Sequence, residues 1–263
     1  MSSFPSLKLE GGLIAADIID QIADGVAAGQ KPEDFGLKRR HLTDEIAAVW
    51  AEARQHWIAF QHRIGRSDET ESATTITRNQ FCIPFFSLLG YELSYMPSAA
   101  VVDGQSFAIS HRTGLDESAP PVHIVSCLQS LDRRPESGRP RLAPHSLVQE
   151  YLNRTEHLWG IVTNGETLRL LRDSQLMSRF AYIEFDLRGM MEDERFSDFA
   201  LLYRLIHRSR LPRSVDDAPD CWLEKYYRLT LEQGGRVRDK LRDGVESALK
   251  ILANGLLAHP YPR

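Results

Sequence analysis

The 263-residue sequence lacks the features that would place it outside ordinary globular proteins. It has only three cysteines, Cys82, Cys127 and Cys221, whose wide spacing forms neither a disulfide framework nor a zinc pattern. No apolar run approaches the roughly 20 residues that a membrane-spanning helix needs. The first ten residues also lack the basic and apolar regions of a secretory signal. We therefore expect a cytoplasmic protein with no membrane partner.

Short motifs that mark common enzyme classes are missing as well. The chain contains no G-x-x-x-x-G-K-[ST] phosphate loop, no G-x-G-x-x-G dinucleotide loop, no H-E-x-x-H or C-x-x-C and no G-x-S-x-G nucleophile elbow. The histidines are scattered and show no local pair at ligand spacing. We expect structural histidines and no metal site, and this applies to His111, His123, His145, His157 and His207.

Lysine is scarce, and the charge balance identifies no partner by itself. The net charge is −4, and 26 of the 32 basic residues are arginine. Guanidinium groups suit bidentate recognition of phosphate or carboxylate. A GC-rich genome, which favours arginine codons, explains the same bias equally well.

Hydrophobic periodicity predicts helices at both ends of the chain and a mixed region between them. Apolar residues recur at three- and four-residue steps from Ile46 to Ile64, which is typical of one face of a long helix. The Asp103-Gly104 and Asn164-Gly165 pairs favour hairpin turns, the second of type I′. We expect an α/β (α+β) fold with a small central mixed sheet. Its strands are predicted at 91–95, 106–110, 122–127, 158–163, 167–171 and 180–185, with a helix at 145–156.

A few residues predict where the other helices and the segments begin and end. Thr77 and Gln80 have capping-box spacing, which predicts a helix from Thr77 to Gly90 that Pro84 kinks or delays. The last long helix is expected to be interrupted at Gly234-Gly235. A polar stretch over 66–73 predicts a linker. These signals divide the chain into an N-terminal helical segment (1–68), an α/β core (69–190) and a C-terminal helical segment (191–263).

Several short pieces of sequence occur in an order typical of certain DNA-processing enzymes. They include Phe85–Leu93, Gln149-Glu150-Tyr151, His157–Gly165, Glu184–Leu187, Asp198–Leu202, His207–Pro212 and Cys221–Glu224. The middle region resembles the restriction-endonuclease-like, or PD-(D/E)xK, fold. The chain is similar, over roughly residues 40–260, to the N-terminal region of type IIG-like restriction–modification proteins and of DISARM-type adenine-specific DNA methyltransferases.

The chain departs from the catalytic pattern that this resemblance implies. A nuclease of this fold needs an acidic residue on one strand and Glu-x-Lys on the next, because the carboxylates hold the Mg²⁺ that activates water. The stretch 104–109 has no carboxylate beyond Asp103, which suits the turn, and 122–128 has neither Glu nor Lys. We therefore predict a degenerate nuclease site with no catalytic residue.

The methyltransferase motifs of the resembled family are also missing. The chain has no Asn-Pro-Pro and no Gly-x-Gly. S-adenosylmethionine is therefore expected only in a methyltransferase domain outside this chain, and no cofactor is expected here. The chain is then either an N-terminal fragment or the product of a split or truncated gene.

Two groups of arginines are the candidate contacts to double-stranded DNA. Clustered guanidinium groups give salt-dependent, sequence-independent affinity for phosphates. The alternatives are pairing with carboxylates of neighbouring helices, capping of a helix dipole, or a merely solvated loop. The first group lies in a loop and comprises Arg133, Arg134, Arg139 and Arg141; the second comprises Arg204, Arg208, Arg210 and Arg213.

These observations predict a non-catalytic module that positions DNA for an adenine methyltransferase of a restriction–modification or phage-defence system. Its protein partners would be the methyltransferase domain or other subunits of that system. One alternative is a Mg²⁺-dependent nuclease whose carboxylates have migrated to Asp103, Asp132 and Glu150. The other is a protein–protein scaffold subunit without DNA contact, which requires the arginines of 203–213 to be buried in ion pairs.

Overall fold

A mixed β-sheet lies at the centre of the computed structural model, which describes residues 4–38, 40–66, 72–134, 142–174 and 181–258. Within those residues the sheet has seven strands, and the fold class predicted from the sequence is confirmed. The strands are β1 (Leu7–Glu10), β2 (Ser94–Tyr95), β5 (His111–Arg112), β6 (Pro121–Ile124), β7 (Trp159–Thr163), β8 (Thr167–Arg172) and β9 (Tyr182–Asp186). They lie in the order β1-β9-β8-β7-β6-β5-β2. The remaining strands, β3 (Ala100–Val102) and β4 (Gln105–Phe107), form a separate hairpin.

Helices flank the sheet. They are α1 (Ala16–Ala23), α2 (Leu42–Ile64), α3 (Ala73–Ile76), α4 (Ile83–Leu88), α5 (Pro144–Arg154), α6 (Leu187–Glu192), α7 (Phe196–Ile206) and α8 (Trp222–Ala258). A π-helix, Thr77–Cys82, joins α3 to α4. All strand pairs in the sheet are antiparallel except β6–β7, which is parallel and is connected through α5. Parallel neighbours need such a crossover, because the chain must return to the end of the sheet at which the first strand began.

The two faces of the sheet belong to different apolar clusters. Ile161, Leu170 and Ile183 are cross-strand partners on one face and join the main core. Val162 and Leu171 belong to a second cluster that includes side chains of α5. Each fully buried aliphatic or aromatic side chain contributes roughly 1.5–3 kcal/mol through its removal from water. The main cluster runs from Leu7 to Tyr227, so the three predicted segments share one core.

The N-terminal segment was predicted to be helical, yet it also contributes a strand. β1 pairs with β9 at the edge of the sheet, with Leu9 opposite Ile183. Leu7 is buried, whereas the other three strand residues are partly or fully exposed. Four alternating residues, Leu-Lys-Leu-Glu, are too short a pattern to indicate a strand without knowledge of the partner.

The helical segment before β2 begins earlier than predicted, and the predicted capping box at Thr77 is wrong. The helix starts at Ala73, and the Thr77 hydroxyl donates to the Ala73 carbonyl oxygen at 2.7 Å. The π-helix ends at Cys82, two residues before Pro84, which lacks an N–H and whose ring disfavours a regular preceding turn. The predicted end at Gly90 is confirmed, since this glycine has φ of +82°. The predicted linker over 66–73 lies mostly outside the described residues.

The two predicted turns differ in how they are built. Asp103 and Gly104 have φ of 50° and 77°, as a type I′ turn requires. In the β7–β8 turn only Gly165 has positive φ, so the type I′ prediction is wrong there. The Asn164 side chain instead accepts hydrogen bonds from the backbone N–H groups of Glu166 and Thr167, at 3.1 and 2.8 Å. The strand predicted at 106–110 is shortened to β4 and lies outside the main sheet.

The last helix was predicted to break at Gly234-Gly235, and this prediction is wrong. α8 runs without interruption from Trp222 to Ala258. Each glycine costs about 1 kcal/mol of helix stability relative to alanine, and the helix-favouring residues on both sides offset this cost. Among the described helices, none combines the length and the hydropathy that crossing a bilayer demands.

Candidate nucleic-acid interface

The resemblance puts the nuclease carboxylates at 104–109 and 122–128. The first stretch forms β4 of the separate hairpin, so β5 is the strand that pairs with β6 in the sheet. Strands β5 and β6 carry His111, Arg112 and His123 and no acidic residue. Burial lowers the pKa of both histidines to about 4, and the charge of Arg78 adds to this effect at His111. His123 Nδ1 accepts a hydrogen bond from the Ser110 N–H at 3.3 Å. This strand pair therefore presents neutral imidazoles where a metal would need carboxylates.

The structure does not bring together the three carboxylates that the nuclease alternative requires. Asp103 lies in the turn of the β3–β4 hairpin, Asp132 follows β6 in a loop, and Glu150 lies on α5, where it accepts a hydrogen bond from Arg154 at 2.8 Å. No group of three or more His, Cys, Asp or Glu side chains within the described ranges is arranged to hold a metal ion.

Arg204 and Arg210 are structural residues, and their prediction as DNA contacts is wrong. The Arg210 side chain is fully buried, and its guanidinium donates to the carbonyls of Gly29 and Asp34 and lies 4.1 Å above the Phe35 ring. Arg204 is 8% exposed and donates to Gln30 Oε1 at 3.1 Å. Burial lowers the pKa of both guanidinium groups. Their partners are neutral oxygens, so the ion pairs that the scaffold alternative required are not formed among the described residues either.

Arg208 and Arg213 lie beside a cavity of about 800 Å³ whose charge is mixed. The half-buried Arg208 donates to the carbonyls of Leu211 and Pro212 at 3.2 and 2.8 Å, whereas Arg213 is exposed. The same cavity is also lined by the acidic residues Glu33, Asp34, Asp217 and Asp220. Nearby carboxylates repel phosphates, so this cavity is a poor DNA site.

The loop arginines that the structure describes, Arg133 and Arg134, are placed differently. Both are exposed, and no described residue forms a hydrogen bond or ion pair with them. Arg139 and Arg141 lie outside the described residues. Of the eight predicted DNA contacts, Arg133 and Arg134 are therefore the two adjacent arginines that are exposed and have no partner among the described residues.

An arginine that the sequence reasoning missed holds this loop in place. Arg169 of β8 is 6% exposed and donates to both carboxylate oxygens of Asp132, at 2.6 and 2.8 Å. It also donates to Glu184, its cross-strand partner on β9, at 2.5 Å. The hydrogen bonds from Arg169 hold the pKa of Asp132 below its ordinary value. Asp132 directly precedes Arg133, so the sheet fixes the position at which the basic loop begins.

A pocket of about 420 Å³ beside the π-helix was also not anticipated. It contains a guanidinium, that of Arg78, with no bonding partner among the described residues, and an exposed aromatic ring, that of Tyr95. The sequence signal was the polar run Thr77–Gln80 ahead of Pro84, which was interpreted as a helix cap. The pocket is lined by Arg78, Asn79, Ile83, Leu93, Tyr95 and His111.

Comparison of the chain with protein-family models, with curated proteins and with solved structures finds no match in any of the three.

Proposed function

We propose that this chain is a non-catalytic module that positions DNA for an adenine methyltransferase of a restriction–modification or phage-defence system. The observation that carries the proposal is the exposed Arg133–Arg134 pair, displayed on a loop that Arg169 clamps to the sheet. Exposed guanidinium groups that have no carboxylate partner among the described residues can contact phosphates directly, and binding then releases condensed cations from DNA. Arg133 directly follows the clamped Asp132, so its backbone has less conformational freedom to lose on binding than that of a free chain.

The sheet topology supports the assignment to a restriction-endonuclease-like core. A helical segment ending in α4 precedes three antiparallel strands, β2, β5 and β6, and α5 then crosses to the parallel strand β7. The sequence pattern predicts the same order of a helix, three strands, a helix and a further strand, and the β3–β4 hairpin is inserted between β2 and β5. Fold-level likeness does not by itself give an activity, so the functional claim rests on the arginines and on the missing carboxylates.

The absence of acidic residues from β5 and β6 supports a binding role over a cleaving one. Hydrolysis of a phosphodiester at a metal site needs carboxylates to hold Mg²⁺ and to neutralise the charge of the transition state. His111, Arg112 and His123 supply a buried cation and two neutral rings instead. These buried side chains provide no carboxylate ligand for a metal.

The test is binding of the 263-residue protein to a fluorescent 24-base-pair duplex across a salt series, with Mg²⁺ or with EDTA. We expect affinity that falls steeply with salt, is the same in both conditions and is accompanied by no cleavage. Mg²⁺-dependent cleavage would contradict the non-catalytic assignment. Failure to bind at 50 mM salt would contradict the DNA role.

A second candidate, a protein–protein scaffold subunit, is favoured by the surface of α8. Leu241, Val245, Leu249 and Leu252 recur at three- and four-residue steps, and each is more than half exposed. An apolar stripe of this kind is typical of a helix that packs against a partner. Sedimentation of the wild type and of the Val245→Glu/Leu252→Glu variant tests one form of this role. A complex heavier than 29.9 kDa that the variant disrupts would favour it.

A further inference from the structure

The described residues that line the pocket beside the π-helix include hydrogen-bond donors and no acid. Its polar lining groups are the Arg78 guanidinium, the Asn79 amide, the Tyr95 hydroxyl and the His111 imidazole. The guanidinium carries up to five donor N–H groups, and no described residue accepts a hydrogen bond from it. Arg78 and Asn79 are consecutive residues of the π-helix, and both line the pocket. An unopposed cation with several free donors is the arrangement that binds an anion.

The hydrogen bonds of Ser110 determine which proton His111 offers. The Ser110 hydroxyl oxygen accepts from the Ile124 N–H at 2.8 Å, and it lies 2.8 Å from His111 Nδ1 but 3.4 Å from the Val122 carbonyl. Its single proton is therefore better placed to be donated to Nδ1. That leaves the ring proton on Nε2. His111 is 2% exposed and lines the pocket, so the Nε2–H is the donor that its neutral ring has left to offer a ligand there.

The walls of the pocket are apolar and aromatic. Ile83 and Leu93 line it together with Tyr95, whose ring is 57% exposed. The Arg78 guanidinium carbon lies 5.3 Å from the centre of the Tyr95 ring, and the His111 ring meets it edge-on at 5.6 Å. A guanidinium stacked on an aromatic ring keeps its edge free for a bidentate contact with phosphate. The exposed remainder of the ring is available to stack with a planar group.

From this geometry we infer that the pocket binds a phosphate ester of an aromatic nucleoside. Arg78, Asn79 and the Nε2–H of His111 hold the phosphate, and the Tyr95 ring and Leu93 contact the base. A volume of about 420 Å³ lies within the range of small-molecule sites, roughly 300–1,000 Å³. The same chemistry is offered by a free nucleotide and by the phosphorylated end of a nucleic-acid strand. The inference does not depend on the proposed duplex-binding role of Arg133 and Arg134.

The test is titration calorimetry of the full chain with adenosine 5′-monophosphate, with adenosine and with inorganic phosphate. We expect the nucleotide to bind at least tenfold more tightly than either fragment, because only the nucleotide engages both the donors and the ring. Arg78→Met, which keeps the apolar stem, is expected to weaken nucleotide binding at least tenfold, and Tyr95→Leu about fivefold. Arg66→Met, at an exposed arginine away from the pocket, is the matched control and is expected to change nothing.

The two sources of the phosphate are separated with single-stranded octanucleotides that carry either a 5′-phosphate or a 5′-hydroxyl. Tighter binding of the phosphorylated octamer than of the mononucleotide, lost with Arg78→Met, identifies a strand end as the ligand. Binding of the mononucleotide alone identifies a free nucleotide. Absence of any nucleotide binding at millimolar concentration, or binding that Arg78→Met leaves unchanged, would overturn the inference. Duplex binding by the Arg78→Met protein reports separately on the proposed DNA role.

Discussion

Two sets of arginines in this molecule differ in burial and in bonding partners, although their side chains are chemically identical. Arg112, Arg204 and Arg210 are buried and bonded to neutral oxygens and nitrogens of the protein, including the Ala119 carbonyl at 2.8 Å and the Tyr151 hydroxyl at 2.6 Å for Arg112. Arg133 and Arg134 are exposed without a described partner. The first set holds the fold together and the second is free to bind. Clustering in the sequence does not distinguish the two sets, whereas burial does.

Acid is expected to have the largest effect, and its main targets are the buried histidines. Burial lowers the folded-state pKa of His111, His123, His145, His157 and His207 to about 4, and the charges of neighbouring arginines are part of that lowering at all of them except His123. Their pKa in the unfolded chain is about 6.5. The stability that these neutral rings contribute is therefore fully present above pH 6.5 and is lost as the pH falls toward 4. Each histidine contributes up to about 1.4 kcal/mol per pH unit in that window.

Urea unfolding at intervals from pH 7.5 to 4 measures this loss. We expect the unfolding midpoint to fall steeply below pH 6, and proton uptake on unfolding to exceed one per molecule. A midpoint that stays constant down to pH 4.5 would show that these rings are not held neutral.

Substitution of the most deeply buried guanidinium is expected to have the next largest effect. Arg210→Met leaves the carbonyls of Gly29 and Asp34 without their donor, which costs about 1–3 kcal/mol for each buried group. We expect the free energy of unfolding to fall by about 3 kcal/mol. The matched change Arg213→Met, at an exposed position in the same segment, is expected to alter it by less than about 0.5 kcal/mol. Similar losses in both variants would erase the distinction between buried and exposed arginines.

Substitution of Arg169, which anchors the loop that carries Arg133 and Arg134, is expected to have an intermediate effect on stability. Arg169→Leu removes the donor shared by Asp132 and Glu184 and leaves the half-buried Glu184 carboxylate without it. We expect a loss of about 2 kcal/mol in stability and a several-fold loss in duplex affinity, although Arg169 itself is not exposed to DNA. Asp132→Asn, which keeps one oxygen acceptor for Arg169, is expected to lose less stability and less duplex affinity. Unchanged duplex affinity in a folded Arg169→Leu protein would argue against a positioning role.

The sequence was informative where the physical cause was local. The Asn164-Gly165 hairpin, the Gly90 stop and the apolar face of α2 were all predicted, because turn chemistry and helical periodicity act over a few residues. A Cβ on Gly165 would approach Thr77 Cγ2 to 2.9 Å, a constraint that only the tertiary structure reveals. The edge strand β1 and the uninterrupted α8 also depended on more than local sequence signals.

The candidate site was harder to predict, because what matters is the partner of each arginine. Arg204 and Arg210 look like a basic surface in the sequence, yet their partners lie 174 to 181 positions away. The clamp between Asp132 and Arg169 spans 37 positions, and the pocket joins Arg78 on a π-helix to His111 on a strand. No spacing rule covers such separations. The lack of acidic residues in β5 and β6, by contrast, can be read directly from the sequence.

The salt dependence of duplex binding by the Arg133→Ala/Arg134→Ala protein tests the proposed DNA role most directly. An Arg66→Ala/Arg236→Ala protein, which loses the same charge at exposed positions elsewhere, is the control. We expect the loop variant to keep wild-type stability, to lose about tenfold in affinity and to lower the slope of log K against log salt by about 2, one for each phosphate contact removed. Equal slopes and affinities in the two variants would show that the basic loop does not bind DNA.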